Sequence, residues 1–339
     1  MLKYIGALLV GFVATVLLAP RMIPTLKRLK FGQTIYALGP KSHLAKQGTP
    51  TMGGLVFVIT VTITALVFHP VSWQGVSDYL WPLLLISLGN MLVGFADDFI
   101  IVVKKRSLGL NALQKIIAQF VIATLFTVYC FFHPQIGSRI NVPFTAIQWD
   151  LGIFYIPIMV LFIVFMTNST NLLDGVDGIL ASVSSVGNIG FGFISLFIMV
   201  PLLQEGQLSL GGNLSVVGVY AFALAGGCLG FLRVNYYPAK VFMGDTGSMF
   251  IGGAMVGMAM LLKQPLLLIF LAFPMIISSV SVIIQRAYFK ITHGKRIFKM
   301  SPIHHHFELS GFTETQIVAM YTVVAVLLTT VALLGMMGR

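Results

Sequence analysis

Charge is scarce in this chain of 339 residues: Lys and Arg number 21, Asp and Glu ten, together 9% of the sequence. An ordinary soluble domain carries roughly a quarter of its residues as charges. A water-facing globule is therefore excluded for want of polar surface. Disorder is excluded by the opposite excess, because 57% of the residues are hydrophobic and a disordered chain has few. Cysteine is nearly missing too. Cys130 and Cys228 both lie inside apolar runs and read as small buried hydrophobes, leaving no disulfide framework and no thiolate metal site. The sequence has no internal repeat, no low-complexity tract and no polar stretch long enough for a separate soluble domain. It has no Walker-type phosphate loop either, since Gly294-Lys295 lacks the required upstream glycine. What remains is an all-α integral membrane protein, one polytopic domain over 1–339.

About 20 apolar residues cross a bilayer core of ~30 Å as a helix. Ten runs answer to that, near 2–19, 52–69, 80–99, 111–132, 152–171, 179–203, 213–232, 247–262, 265–289 and 315–337. The first resembles a signal peptide in having Lys3 before an apolar stretch. Arg21, Lys27, Arg28 and Lys30 follow it, however, which predicts an uncleaved span with its N-terminus outside. Alternate connections then hold 17 of the 21 basic residues. That asymmetry predicts five cytoplasmic loops and both termini on the periplasmic or extracellular side. It also disposes of nucleic acid as the reason for the net charge of +11. The longest outer connection, 133–151, alternates Ile140, Val142 and Phe144 between Pro and Gly positions, which predicts a small surface hairpin. Gly226/Gly230 and Gly253/Gly257 predict close helix packing.

The few carboxylates are placed unevenly. Asp97 and Asp98 end the third run (GFADDF), Asp174 and Asp177 follow the fifth (NSTNLLDGVDG), and Asp245 precedes the eighth (VFMGDTGS). All five fall at the cytoplasmic ends of spans, whereas Asp78 and Asp150 belong to the other face. Carboxylates near lipid are expensive unless paired or coordinated, so they are functional candidates by default. Each motif has a plainer reading. Asp97-Asp98 could be a solvated helix end, Asp-Gly-x-x-Gly could be turn chemistry, and Asp245 could cap the eighth helix. Three such coincidences on one face favour a site. Asn168, Asn171, Asp174 and Asp177 recur every third position and would lie close to one side of a helix or helical turn. Adjacent Asp97 and Asp98 point about 100° apart on a helix, which predicts different tasks. Hard oxygen donors of this kind suit Mg²⁺, which takes few carboxylates and completes its shell with water and substrate phosphate.

The last inner loop carries His304, His305 and His306 in Ser-Pro-Ile-His-His-His-Phe-Glu. Three adjacent imidazoles rarely converge on one metal; beside acids and bases they better suit phosphate or substrate hydrogen bonding. Lys46, Lys104, Lys105, Arg106 and Lys115 could neutralise diphosphate, with the positive-inside bias as the plainer account of most. Lys46 and Lys115 are the expected exceptions. The residues thus describe a cytoplasm-facing, anion-binding, Mg²⁺-ready site at a membrane surface, suited to joining a soluble phosphorylated donor to a lipid phosphate. A transporter is the competing class, although its coupling carboxylates should sit near mid-membrane at broken helices.

Five stretches carry a resemblance: Lys46-Gln-Gly-Thr-Pro-Thr-Met-Gly-Gly54, Gly94-Phe-Ala-Asp-Asp98, Asn171-Leu-Leu-Asp-Gly-Val-Asp-Gly178, Phe242-Met-Gly-Asp-Thr-Gly247 and Pro302-Ile-His-His-His306. Across the whole chain the sequence resembles the phospho-MurNAc-pentapeptide transferase branch of the polyprenyl-phosphate N-acetylhexosamine-1-phosphate transferases. The resemblance implies a multi-pass enzyme of the bacterial inner membrane, and a homodimer. Its substrates would be UDP-MurNAc-pentapeptide and undecaprenyl phosphate, its products lipid I and UMP, its cofactor Mg²⁺. By motif position, Asp245 would be the metal ligand, and Asp97 the base on the lipid phosphate with Asp98 beside it. Asn171, Asp174 and Asp177 would hold nucleotide or sugar, Phe242 would stack on uracil, His304, His305 and His306 would line the sugar-phosphate region, and Lys46 and Lys115 would meet phosphates. The unbroken histidine run speaks against the runner-up, a polyprenyl-phosphate GlcNAc-1-phosphate transferase.

Overall fold

The computed structural model of the chain describes residues 1–28, 46, 48–69, 79–104 and 109–337, with backbone alone at 103, 104 and 337. Among the residues singled out above, Lys30, Gln47, Asp78, Lys105, Arg106 and the Lys104 side chain lie outside this description.

Every predicted apolar run carries helix. The order is α1 (Leu2–Arg28), α2 (Gly54–Val67), α3 (Leu80–Lys104), α4 (Ala112–Phe132), α5 (Tyr155–Leu173), α6 (Ile179–Gln204), α7 (Leu208–Asn235), α8 (Gly244–Leu261), α9 (Leu268–Leu271), α10 (Phe273–Ile291), α11 (Ile303–Glu308) and α12 (Glu314–Met337). Among the described residues seven helices are long and apolar enough to cross a membrane, eight if α9 with its preceding turn and α10 count as one span. The chain is an all-α, multi-pass membrane protein. The two remaining predicted spans correspond to α2, an apolar helix of 14 residues, and α8, of 18 residues.

The ninth run departs from a straight span. Residues Pro265–Leu271 and Phe273–Ile291 meet at 88°. Pro274 supplies the reason. Continuing α9 past Leu271 would drive the Pro274 ring into the carbonyl of Phe270, so the helix breaks and restarts with proline in its first turn. The hairpin expected within 133–151 does form: β1 (Arg139–Asn141) pairs antiparallel with β2 (Gln148–Asp150), Ile140 opposite Trp149.

Two buried helices organise the bundle. α7 has 94% of its apolar window inside the protein, with α1, α2 and α6 packed around it. α8 is held between α3 and α5. Small residues permit both contacts, as predicted. A methyl on Gly226 would strike the Leu8 carbonyl of α1, and one on Gly253 would stand 2.7 Å from the Ile86 carbonyl of α3. Close backbone approach of this kind is how helices gain dispersion energy where lipid removes the hydrophobic drive.

A candidate active site at the start of α8

The segment that carries Lys46 reaches α8 through its backbone. Phe242 N donates to the Pro50 carbonyl (2.8 Å), Gly53 N to the Phe242 carbonyl (2.8 Å) and Gly54 N to the Met243 carbonyl (2.9 Å). Two glycines then let neighbouring helices close on the first turn of α8. A Cβ on Gly54 would collide with Gly247, and one on Gly94 with the backbone of Asp245. α2 and α3 therefore grip the first turn of α8 by contact with its main chain, α2 at Gly247 and α3 at Asp245 itself.

The first amides of any helix lack intrahelical partners, and at α8 Asp98 supplies them from α3. Its carboxylate accepts Asp245 N (3.2 Å), Thr246 N (2.9 Å) and Thr246 Oγ1 (2.7 Å). This corrects the reading of Asp245 as the cap. Asp98 does the capping, and Asp245 is released to face across the site. There the Lys115 ammonium pairs with Oδ2, and Asn171 Nδ2 donates to Oδ1 at 2.7 Å and to Ser248 Oγ at 2.9 Å. Lys115 stands one turn into α4, whose start is fixed by a reciprocal Asn111–Gln114 capping box. Asp97 accepts Leu110 N at 3.0 Å and lies within electrostatic reach of Lys115 and Asp245. The two adjacent aspartates thus have different tasks, as their 100° separation requires.

The every-third stripe does not stay on one side. α5 ends at Leu173, with Asp174 turning out of helical geometry. Asn168 pairs with Gln119 of α4 (2.9 Å), Asn171 faces Asp245, and Asp177 joins a second network. In that network the Lys46 ammonium bridges Asp177 Oδ1 (2.7 Å) and Glu314 Oε2 (2.6 Å). The other Asp177 oxygen accepts Ala239 N (2.9 Å), and Glu314 also accepts the amide of Asp177 (3.1 Å). Burial disfavours the Lys46 ammonium, but the two carboxylates outweigh it and hold the group above the usual lysine value. At Asp174, burial and then the charges of Asp245, Asp98 and Asp177 push the carboxyl well above the usual carboxylate range.

The histidines pack against the Asp174–Asp177 turn. On α11, His304 is buried, His305 pairs with Glu308, and His306 accepts Lys299 N at 3.1 Å. A Cβ on Gly175 would run into the His304 and His305 rings, so the Asp174–Asp177 turn rests directly on them. Phe242 is half-buried one residue before Met243 and α8. The structure therefore gathers Asp97, Asp98, Lys115, Asn171 and Asp245 at one point, and places Lys46 and Asp177 at another. Glu314, Thr246 and Ser248 went unmarked in the sequence. Only Glu314, a lone carboxylate at a helix start, left any signal there.

Two matches to known proteins bear on this site. The description "Glycosyl transferase family 4" fits residues 80–263, and "Phospho-N-acetylmuramoyl-pentapeptide-transferase signature 1" fits residues 46–58, the segment clamped to α8. Proteins named phospho-N-acetylmuramoyl-pentapeptide-transferase are similar along nearly the entire chain. The one from Caldanaerobacter subterraneus is 45% identical over 96% of both chains, and the one from Clostridium kluyveri 41% identical over 99% of this chain and all of its own. The one from Oceanobacillus iheyensis is 42% identical over 94% of each. The chain belongs to the phospho-N-acetylmuramoyl-pentapeptide-transferase family. As a member of that family it is a membrane transferase of peptidoglycan synthesis. Among the described residues no three His, Cys, Asp or Glu side chains converge as a ready-made metal cage. The partly exposed Asp245 carboxylate, already drawn to one cation in Lys115, is the donor that fits Mg²⁺, an ion held by one or two carboxylates plus phosphate oxygens.

Proposed function

We propose that the protein transfers phospho-MurNAc-pentapeptide from UDP-MurNAc-pentapeptide to undecaprenyl phosphate, releasing UMP and leaving lipid I. We place the reaction at the cytoplasmic face of a bacterial plasma membrane and read α2 and α8 as spans alongside the others. The observation that carries this reading is the meeting of Asp97, Lys115, Asn171 and Asp245 at the end of the spans, in a chain of this family.

Phosphoryl transfer asks a protein mainly for positioning and charge neutralisation. An oxygen of the lipid phosphate attacks the phosphorus that bears the sugar, and the bond from that phosphorus to the bridging oxygen of UMP breaks. Asp97 takes the proton of the lipid phosphate, held for that task by the Leu110 amide. Lys115, between Asp97 and Asp245, offsets charge on the incoming phosphate. Asn171 orients Asp245, and Asp98 fixes the turn that presents it. Asp245, with Asn171 beside it, would hold Mg²⁺, which when bound draws charge from the diphosphate. Asp174, Phe242 and His304 to His306 line the side where the nucleotide and sugar enter. The test is UMP release by purified protein with Mg²⁺ and both substrates. No release, while a control enzyme works in the same detergent, would reject the reading.

A further inference from the structure

We infer that Glu314 is a positioning residue for the soluble donor, acting through Asp177 and Lys46; the inference rests on the transferase reading and names the substrate this network serves. Glu314 opens α12 and is only 8% exposed. One of its oxygens accepts two donors, the Lys46 ammonium at 2.6 Å and the Asp177 amide at 3.1 Å. Lys46 in turn holds Asp177 Oδ1, and the Ala239 amide holds Oδ2. Glu314 and Asp177 thus tie together four segments far apart in sequence: the Lys46 segment, the Asp174–Asp177 turn, the stretch leading to Phe242 through the Ala239 amide, and the start of α12.

The charge balance decides what Lys46 does. Two buried carboxylates share one ammonium. If Lys46 swung away to a phosphate, Asp177 and Glu314 would be left buried and uncompensated, a costly state. Lys46 therefore stays as a strut, and the sequence expectation of a phosphate contact gives way to a scaffolding task. Location decides which substrate is served. Lys115, Asp97 and Asp98 sit on the apolar helices α3 and α4, the elements a lipid substrate would lie beside. Lys46, Asp177 and Ala239 sit on connections beyond the helix ends, where a water-soluble donor arrives. Loss of Glu314 should loosen the donor's seat and leave the lipid's intact.

The experiment compares Glu314→Gln and Glu314→Ala in the full chain, measuring kcat, KM for donor and for undecaprenyl phosphate, melting temperature, and calorimetric binding of UMP. Removing the charge opposite Lys46 in Glu314→Gln should raise donor KM and UMP Kd together by about tenfold, and Glu314→Ala should raise both further. KM for the lipid should hold within about twofold, because a positioning effect confined to the donor removes no lipid contact. Unchanged donor KM in folded Glu314→Ala overturns the inference. Parallel shifts in both KM values, kcat and melting temperature overturn it too, since they mark a merely structural role. If the unaltered chain binds UMP and the variants do not, yet no donor is turned over, the transferase reading fails while the nucleotide-positioning claim stands. An unaltered chain that binds no UMP removes the inference itself.

Discussion

Replacing Asp98 separates a cap from a catalyst. Asp98→Asn keeps one acceptor oxygen and removes the charge, turning an NH₂ group toward amides that need an acceptor. Of three hydrogen bonds, to Asp245 N, Thr246 N and Thr246 Oγ1, one or two are lost. At about 1.5 kcal/mol for each bond to a charged group, the loss is about 3 kcal/mol, including the carboxylate's attraction to the helix N-terminus. That energy is local, because α8 remains gripped by Gly54 and Gly94. It converts to about 100-fold faster amide exchange across the first turn of α8, read by hydrogen-exchange mass spectrometry on peptides covering 243–250. Thr246→Val, which deletes only the hydroxyl bond, should accelerate exchange about tenfold, for about 1.5 kcal/mol. Turnover should fall in step with exchange, since a frayed turn no longer aims Asp245. Abolished turnover with unchanged exchange would refute the cap and make Asp98 a direct participant in the chemistry.

The remaining predictions concern neighbouring residues. Asp245→Ala and Asp97→Asn should each abolish most turnover while the protein stays folded by circular dichroism, and near-normal activity in either would cancel that residue's role. Gly94→Ala should cost about 1–3 kcal/mol of overpacking in thermal unfolding and depress kcat, because the new methyl meets the main chain of Asp245. Asp174→Asn should raise the melting temperature of the unliganded protein near pH 7 while lowering activity. The sign follows from the raised carboxyl: folding favours its protonated form, so the wild type loses stability as pH rises and the variant does not. The gap should shrink as pH is lowered toward the ~3.9 of an ordinary Asp. Chelation of Mg²⁺ should stop UMP release, and added Mg²⁺ should restore it.

Much of this was legible in the sequence. Scarce charge gave the membrane, each apolar run gave a helix, and the clustered aspartates pointed to the helix ends where Asp97, Asp98 and Asp245 meet. The glycine pairs were readable because a helix contact needs small residues at fixed spacing. What escaped was pairing between segments. Periodicity shows that Asp98 ends a helix but not that another helix begins where its carboxylate points. Glu314 looked like an ordinary first-turn acid, because a partner 268 positions away leaves no trace in local pattern. The break at Ala272 was hidden for a different reason. A bend leaves hydropathy unchanged, and Pro274 reads equally well as the start of a helix or as a kink within one.

One labelling experiment reads directly where the phosphate goes. A donor radiolabelled on the phosphate attached to the sugar is incubated with the purified protein, Mg²⁺ and undecaprenyl phosphate, and the lipid and aqueous phases are counted. The label is expected to move into the lipid, and the released UMP to carry none. Label appearing in UDP, with bare sugar on the lipid, would contradict that expectation.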